Sequence, residues 1–306
     1  MAPMKSLSHL RPGDRVGVIA PAGPPAPERM ALVEPLLARY GLRAKIYPSC
    51  HARHPQHGYL AGDDALRLAD LYAAFADDDV GAVFCARGGY GCTRLLDALD
   101  VGRLVAHRKP FVGYSDITAL HAVLQSQGEL SFHAPMAASD LVVEGAGDDA
   151  DALFALLMHP LRAGHVFAPD RLEGGWQVGG RASGRLVGGN LSLIAALAGT
   201  RWALDARGAI VFIEDVSEAL YRVDRLMTQL RHTGLLDVAA GFLLGSFTED
   251  ADPVHVVREH LSRFAKPVLA GWPAGHGRPN RALPLGAHVT LDAGAGTLTL
   301  QDTVLE

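Results

Sequence analysis

Short apolar runs alternate with longer stretches of helical period along the first half of the chain. Val16 to Ala20 is a continuous apolar run ended by Pro21-Ala22-Gly23-Pro24-Pro25, which predicts a buried strand leading into a loop. Glu28 to Tyr40 carries a helical pattern, with a kink or break expected at Pro35. Ala44 to Tyr47 reads as a second strand. Asp63 to Phe75 is amphipathic, with Leu66, Leu68, Ala69, Leu71, Tyr72 and Phe75 on one broad face. Ala82 to Cys85 is a third strand, closed by Arg87-Gly88-Gly89-Tyr90-Gly91. Phe111 to Tyr114 is a fourth, and Ile117, Leu120 and Leu124 mark a helix directly behind it. Strands alternating with helices predict a parallel sheet covered on both faces.

Between Val143 and Gly180 the periodicity fades. Glu144 to Asp151 and Glu173-Gly174-Gly175 read as a connection. A second unit then begins. Leu186-Val187 leads into Gly188-Gly189-Asn190 and an apolar helix, Leu191 to Leu197. Strands follow at Ala209 to Ile213, Gly241 to Leu244 and Val268 to Ala270. Helical patterns span Leu220 to Leu230 and Pro253 to Phe264, where a proline is tolerated because it opens the first turn. Ala287 to Leu291 and Thr297 to Leu300 predict a hairpin around Asp292-Ala293-Gly294-Ala295-Gly296. The expected division is therefore an α/β domain over 1–145, a connection over 146–180 and a second α/β domain over 181–306.

Composition narrows the function. The 306 residues are 49% hydrophobic and 20% charged, which excludes a disordered chain. A single core stops growing at about 250–300 residues, in keeping with two domains. A net charge of −5 leaves no basic field for a phosphate backbone, so nucleic acid is not an expected partner. Cys50, Cys85 and Cys92 form no CxxC pair, so neither a disulfide framework nor a structural zinc site is expected. The first ten residues show no secretory pattern, and no run of 18 apolar residues exists, so a cytoplasmic chain without a membrane span is expected.

Polar or glycine-rich residues follow apolar strands at four places, where ligands collect in open α/β sheets. In Gly113-Tyr114-Ser115-Asp116-Ile117-Thr118 a strand runs straight into a helix with Ser115 at the corner. Such a turn lifts a hydroxyl out of the sheet and makes the Asp116 N–H a natural oxyanion donor. A capping role for Ser115 or Asp116 explains the same residues. Arg87-Gly88-Gly89-Tyr90-Gly91 admits close approach of a ligand to the backbone, or is a tight turn; it lacks the endings of the nucleotide-phosphate loops. Ile213-Glu214-Asp215 ends a strand with a carboxylate able to orient an imidazole. The alternative makes Glu214 a partly exposed acid and Asp215 a cap for the next helix. His276, in Gly275-His276-Gly277-Arg278-Pro279-Asn280, sits on a constrained loop and has the side chain suited to base work near neutrality. His51, His54 and His57 are spaced by three, but Pro55 and Gly58 argue for a surface loop rather than a metal-binding helix. Together the four places supply a hydroxyl, a base, an orienting acid and oxyanion donors.

The ordered set resembles the LD-carboxypeptidase family of serine peptidases, the muramoyltetrapeptide carboxypeptidases. The likeness runs through Val16-Gly17-Val18-Ile19-Ala20-Pro21, Gly58-Tyr59-Leu60-Ala61-Gly62-Asp63, Arg87-Gly88-Gly89-Tyr90-Gly91, Gly113-Tyr114-Ser115-Asp116, Gly188-Gly189-Asn190-Leu191, Glu214-Asp215-Val216, Tyr221-Arg222-Val223-Asp224-Arg225 and Gly275-His276-Gly277. The resemblance implies a Rossmann- or flavodoxin-like N-terminal layered domain and a smaller C-terminal α/β barrel-like domain. It implies a cytoplasmic enzyme, a homodimer without cofactor or metal, that removes terminal D-alanine from murein tetrapeptides in peptidoglycan recycling. Ser115, Glu214 and His276 are then the catalytic residues, with Asp116, Gly88 and Gly89 forming the oxyanion hole. Arg87, Tyr90 and Asn190 are candidate substrate contacts, Asn190 being equally explained as a helix cap. Arg222, Arg225, Arg278 and Arg281 also suit a substrate carboxylate, and each of the five arginines is equally explained by a surface or interdomain salt bridge. Other readings are a microcin C immunity-type peptidase cleaving an aminoacyl-nucleotide amide, with Trp176 as its aromatic, a non-catalytic muropeptide-binding protein, and a generic esterase.

Overall fold

The computed structural model describes residues 5–172, 176–248 and 253–306. The Glu173-Gly174-Gly175 piece of the expected connection and Met1 to Met4 of the N-terminal segment lie outside the described residues.

The first six-stranded sheet runs, from edge to edge, Leu283–Leu285, Ser131–His133, Phe111–Gly113, Val80–Cys85, Arg15–Ile19, Arg43–Ile46. Five of its strands are parallel, and Leu283–Leu285 adds to the edge antiparallel to Ser131–His133. Val16, Val18, Ile19, Val83 and Phe84 are fully buried because helices cover both faces. One face packs against the helix Asp64–Ala76 through Leu71 and Phe75. The other packs against Leu36 and Leu37 of Val33–Arg39. The first five strands lie in the flavodoxin-like order second, first, third, fourth, fifth. The direction of travel therefore reverses between Arg15–Ile19 and Val80–Cys85, and a crevice opens beyond their carboxyl ends.

The second sheet has eight strands, in the order Val166–Phe167, Thr297–Leu300, His288–Asp292, Arg181–Asn190, Ile210–Val216, Gly241–Thr248, Val268–Leu269, Gln177–Val178. Its central four are parallel, the flanking strands are antiparallel, and the sheet curls into a half-barrel. The helices Leu191–Leu197, Leu220–His232 and Val254–Leu261 follow the patterns seen in the sequence. The hairpin of His288–Asp292 with Thr297–Leu300 does so too.

Three local expectations are corrected. The helical stretch around Pro35 breaks earlier, between Pro27–Met30 and Val33–Arg39. Pro35 falls in the first turn of the second helix, where a missing N–H loses no intrahelical bond. The acidic stretch near 144–151 is not a plain connection, because Gly147–Leu157 is a helix. Asp148 and Asp149 favour its N-terminal dipole, while Ala150, Leu153, Phe154 and Leu157 are buried. Phe154 stacks on Tyr40 at 4.1 Å between ring centroids. Ser131–His133, absent from the expected strands, is a short buried strand of the first sheet.

Candidate active site

The strand Phe111–Gly113 passes through Tyr114 into a 3-10 turn, Ser115–Ile117, and on into the helix Thr118–Ser126. Ser115 has φ of 63°, a left-handed conformation that costs a residue with a side chain about 1–2 kcal/mol. This strained corner presents the hydroxyl beyond the end of the sheet. The loop after Val80–Cys85 lies against it: a Cβ on Gly88 would stand 2.9 Å from Ser115 Cβ, 3.0 Å from Ser115 Oγ and 3.5 Å from the Asp116 nitrogen. Glycine at 88 is therefore favoured by the close approach of this loop to the Ser115 side chain. Among the described residues, neither the Gly88 nor the Gly89 N–H donates a hydrogen bond. The buried Asp116 carboxylate accepts from Cys92 N at 2.8 Å, which ties the serine turn to the helix after the glycine loop. Burial raises its proton affinity, against the Cys92 N–H, which lowers it. Arg67, fully buried, donates to the carbonyls of Pro21 and Gly91 and pairs with Asp64, so the two loops flanking the crevice share one anchor.

Glu214 sits near the end of Ile210–Val216 and is the parallel register partner of Asn190. Asn190 N donates to Thr118 Oγ1 at 3.0 Å, three residues beyond Ser115. The second sheet thus brings its acid to the serine turn of the first. Glu214 is fully buried, and its Oε2 accepts from His276 Nδ1 at 2.7 Å. Burial pushes the Glu214 carboxyl upward, but His133 and His276 more than reverse this and hold it well below the usual range. Burial likewise pulls the His276 imidazole down, yet the bond to Glu214 and its charge win, and the net shift is upward. The His276 loop is pinned on both sides: Gly275 N donates to Asn280 Oδ1 at 3.0 Å and Gly277 N to Ser246 Oγ at 2.7 Å. Asn280 and Arg281 in turn reach Asp149 of the helix Gly147–Leu157.

These two halves meet at Tyr114. Its ring lies 4.7 Å from the His276 ring, and its hydroxyl donates to Asp140 at 2.8 Å. The contact between Glu214 and His276 is thus formed and sits against the residue preceding Ser115. Among the described residues the Ser115 hydroxyl makes no hydrogen bond, to His276 or to any other group. Sequence profiles for the LD-carboxypeptidase N-terminal and C-terminal domains match residues 16–134 and 183–291. The chain belongs to the LD-carboxypeptidase family. It is 38% identical over 307 residues to a probable murein peptide carboxypeptidase of Bacillus subtilis, covering 97% of this chain and 94% of that one. A muramoyltetrapeptide carboxypeptidase from Oxalobacter formigenes superposes with a TM-score of 0.81 at 30% identity, covering 95% of this chain and 98% of that one. The microcin C7 self immunity protein, in an inactive mutant without ligand, superposes with a TM-score of 0.89 over 99% and 100% of the two chains; at 22% identity that likeness is one of fold.

Other residues expected at this LD-carboxypeptidase site fall into place differently. Arg87 is exposed on the glycine loop, with Nη1 3.3 Å from the Pro24 carbonyl and no acidic partner among the described residues. Tyr90 is exposed beside Tyr59. Arg278 and Arg281 are bound to the backbone of Glu144 and Asp148, and Arg222 pairs with Glu218. Asn190 is buried and serves as a cap: its Oδ1 accepts from Leu193 N, and its Nδ2 donates to Asp215. Glu214 is not a partly exposed acid. Nor does Asp215 cap the helix that follows it; its carboxylate accepts from Ser192 and Asn190 at the start of Leu191–Leu197. Trp176 is buried in the core of the second lobe, which removes it as a nucleobase-stacking aromatic. A cavity of about 860 Å³ lies behind the His276 loop, against Ser246, Gly277, Arg278, Phe167 and Trp272; Ser115, Glu214 and His276 do not line it. Sequence reasoning missed His133, Asp140 and Ser246. For His133 a signal was available, since Ser131-Phe132-His133-Ala134-Pro135 also places a polar residue where a strand meets a loop.

Proposed function

We propose that this chain is a serine-type LD-carboxypeptidase that releases terminal D-alanine from murein tetrapeptides. The observation that carries the reading is the 2.7 Å bond from His276 to buried Glu214, set against the residue that precedes the strained Ser115 corner. In this mechanism the Ser115 oxygen bonds to the carbonyl carbon of the scissile amide as its proton passes to Nε2 of His276. Glu214 keeps the Nδ1 proton in place and offsets the imidazolium charge. The N–H groups of Asp116 and of Gly88 or Gly89 receive the oxyanion. The carbon–nitrogen bond then breaks as His276 returns its proton to the amine of D-alanine. Water, deprotonated by His276, cleaves the resulting ester and restores the hydroxyl. Arg87, on the glycine loop and without a carboxylate partner among the described residues, suits the terminal carboxylate of the substrate. The same reading makes the enzyme a cytoplasmic homodimer, as the family resemblance implies. Among the described residues no helix is long and apolar enough to cross a membrane.

The test is mass spectrometry of a D-alanine-terminated tetrapeptide incubated with the purified chain. Loss of one alanine is expected, with an L-alanine-terminated control left intact. Ser115→Ala lowers turnover by about 10⁴–10⁶-fold. Near-native turnover in that variant would exclude the acyl-enzyme route, and cleavage of both peptides would point to an unselective hydrolase.

A further inference from the structure

We infer that His133 is a positioning residue for Glu214, gripping the carboxylate oxygen that His276 leaves free. The inference rests on the reading of Ser115, His276 and Glu214 as a catalytic triad and adds to it a fourth side chain.

Glu214 is fully buried, and His276 occupies Oε2. Oε1 has no hydrogen-bond partner among the described residues. A buried ionised carboxylate with an unmet oxygen is unfavourable, so the surroundings of Oε1 call for a donor. The donor at hand is His133, whose Nε2 stands 3.7 Å from Oε1. His133 is also fully buried, and neither of its ring nitrogens has a hydrogen-bond partner among the described residues. Two unmet groups thus face each other at a separation that a shift of less than about 1 Å would close to hydrogen-bond length.

The neighbours fix the ring for this task. His133 is the register partner of Gly113, so it stands on the strand beside the one that delivers Ser115. Its ring meets Tyr114 edge-on at 5.4 Å and Phe212 at 4.8 Å. Tyr114 therefore lies against both imidazoles, His133 and His276. Nearby His121 behaves differently: both its nitrogens are engaged, by Ser131 Oγ and the Gly113 carbonyl, as in an ordinary buried histidine. The other ionisable groups around the pair are Tyr114, held by Asp140, and Asp215, held by Ser192 and Asn190. Donating from Nε2, His133 orients the carboxylate so that Oε2 stays on His276 Nδ1. It also draws off part of the negative charge. Each lobe contributes one imidazole to the same acid.

The experiment compares kcat, KM and the pH profile of kcat/KM on the D-alanine-terminated tetrapeptide for four purified proteins: wild type, His133→Gln, His133→Phe and Ser115→Ala. His133→Phe keeps a ring but has no donor. It is expected to lose about 10–100-fold in kcat with KM changed less than about threefold. Without the donor Glu214 holds more charge and stabilises the His276 imidazolium further, so the acidic limb of the profile moves to higher pH. His133→Gln restores a donor, and is expected to recover most of the kcat and return the limb toward wild type. Should His133→Phe fail to fold, His133→Met is the donor-free comparison. A donor-free variant with wild-type kcat and an unmoved limb overturns the inference. So does equal loss in the Gln and donor-free variants with the limb unmoved, which marks a purely structural role. In both cases an inactive Ser115→Ala leaves the triad standing. An active Ser115→Ala overturns triad and inference together.

Discussion

Ser115 is held in a backbone conformation that its own side chain disfavours, and the surrounding lobes over-determine it. That strain has a measurable signature. Glycine at 115 escapes the left-handed penalty of about 1–2 kcal/mol but gives back about 0.4–1 kcal/mol through a freer unfolded chain. Urea unfolding should therefore show Ser115→Gly more stable than Ser115→Ala by about 0.5–1 kcal/mol, both being inactive. Equal stabilities would mean the corner is relaxed in solution. At this scale the sequence was informative about identity and poor about environment. Ser115 and Glu214 stand at the ends of apolar strands, His276 lies between two glycines, and their joint role comes with the family resemblance. That Glu214 is wholly buried, bonded to His276 and 3.7 Å from His133, depends on contacts between the two sheets that local pattern does not describe.

The elements that carry these residues were readable where amphipathic period or an unbroken apolar run dominates. Leu191–Leu197 and the terminal hairpin are examples. Short elements buried from several sides were missed, because three residues such as Ser131–His133 hold no period to detect. The helix Gly147–Leu157 was hidden by its acidic first turn. In the glycine segment after Val80–Cys85, a Cβ at Gly88 would stand 2.9 Å from the Cβ of Ser115. Gly88→Ala is expected to reduce kcat by about 10²–10³-fold while far-ultraviolet circular dichroism stays native. Retained kcat would show that this loop stands further from Ser115 in the working enzyme.

Across the whole molecule, the geometry depends on how the second sheet seats on the serine helix. Gly189 has φ of 141°, and a Cβ there would fall 2.6 Å from Thr118 Oγ1. Gly189→Ala should push the lobes apart by a fraction of an ångström. A drop in kcat of about tenfold to a hundredfold is expected, with about 1–3 kcal/mol of stability lost. Unchanged kinetics and stability would show that the seam tolerates that shift. The two-lobed α/β arrangement was legible from alternating patterns, and the flavodoxin-like order came with the family resemblance. The seam itself was not, because it is built from contacts between residues far apart in the chain.

The strand Leu283–Leu285 lies beyond most of the second lobe's sequence, yet it pairs with Ser131–His133 in the first. The lobes are consequently not interchangeable modules. A hybrid spliced between two relatives in the middle of the chain would inherit the edge of its first sheet from the wrong parent. The fold would therefore pass between lineages more readily as one block than as halves.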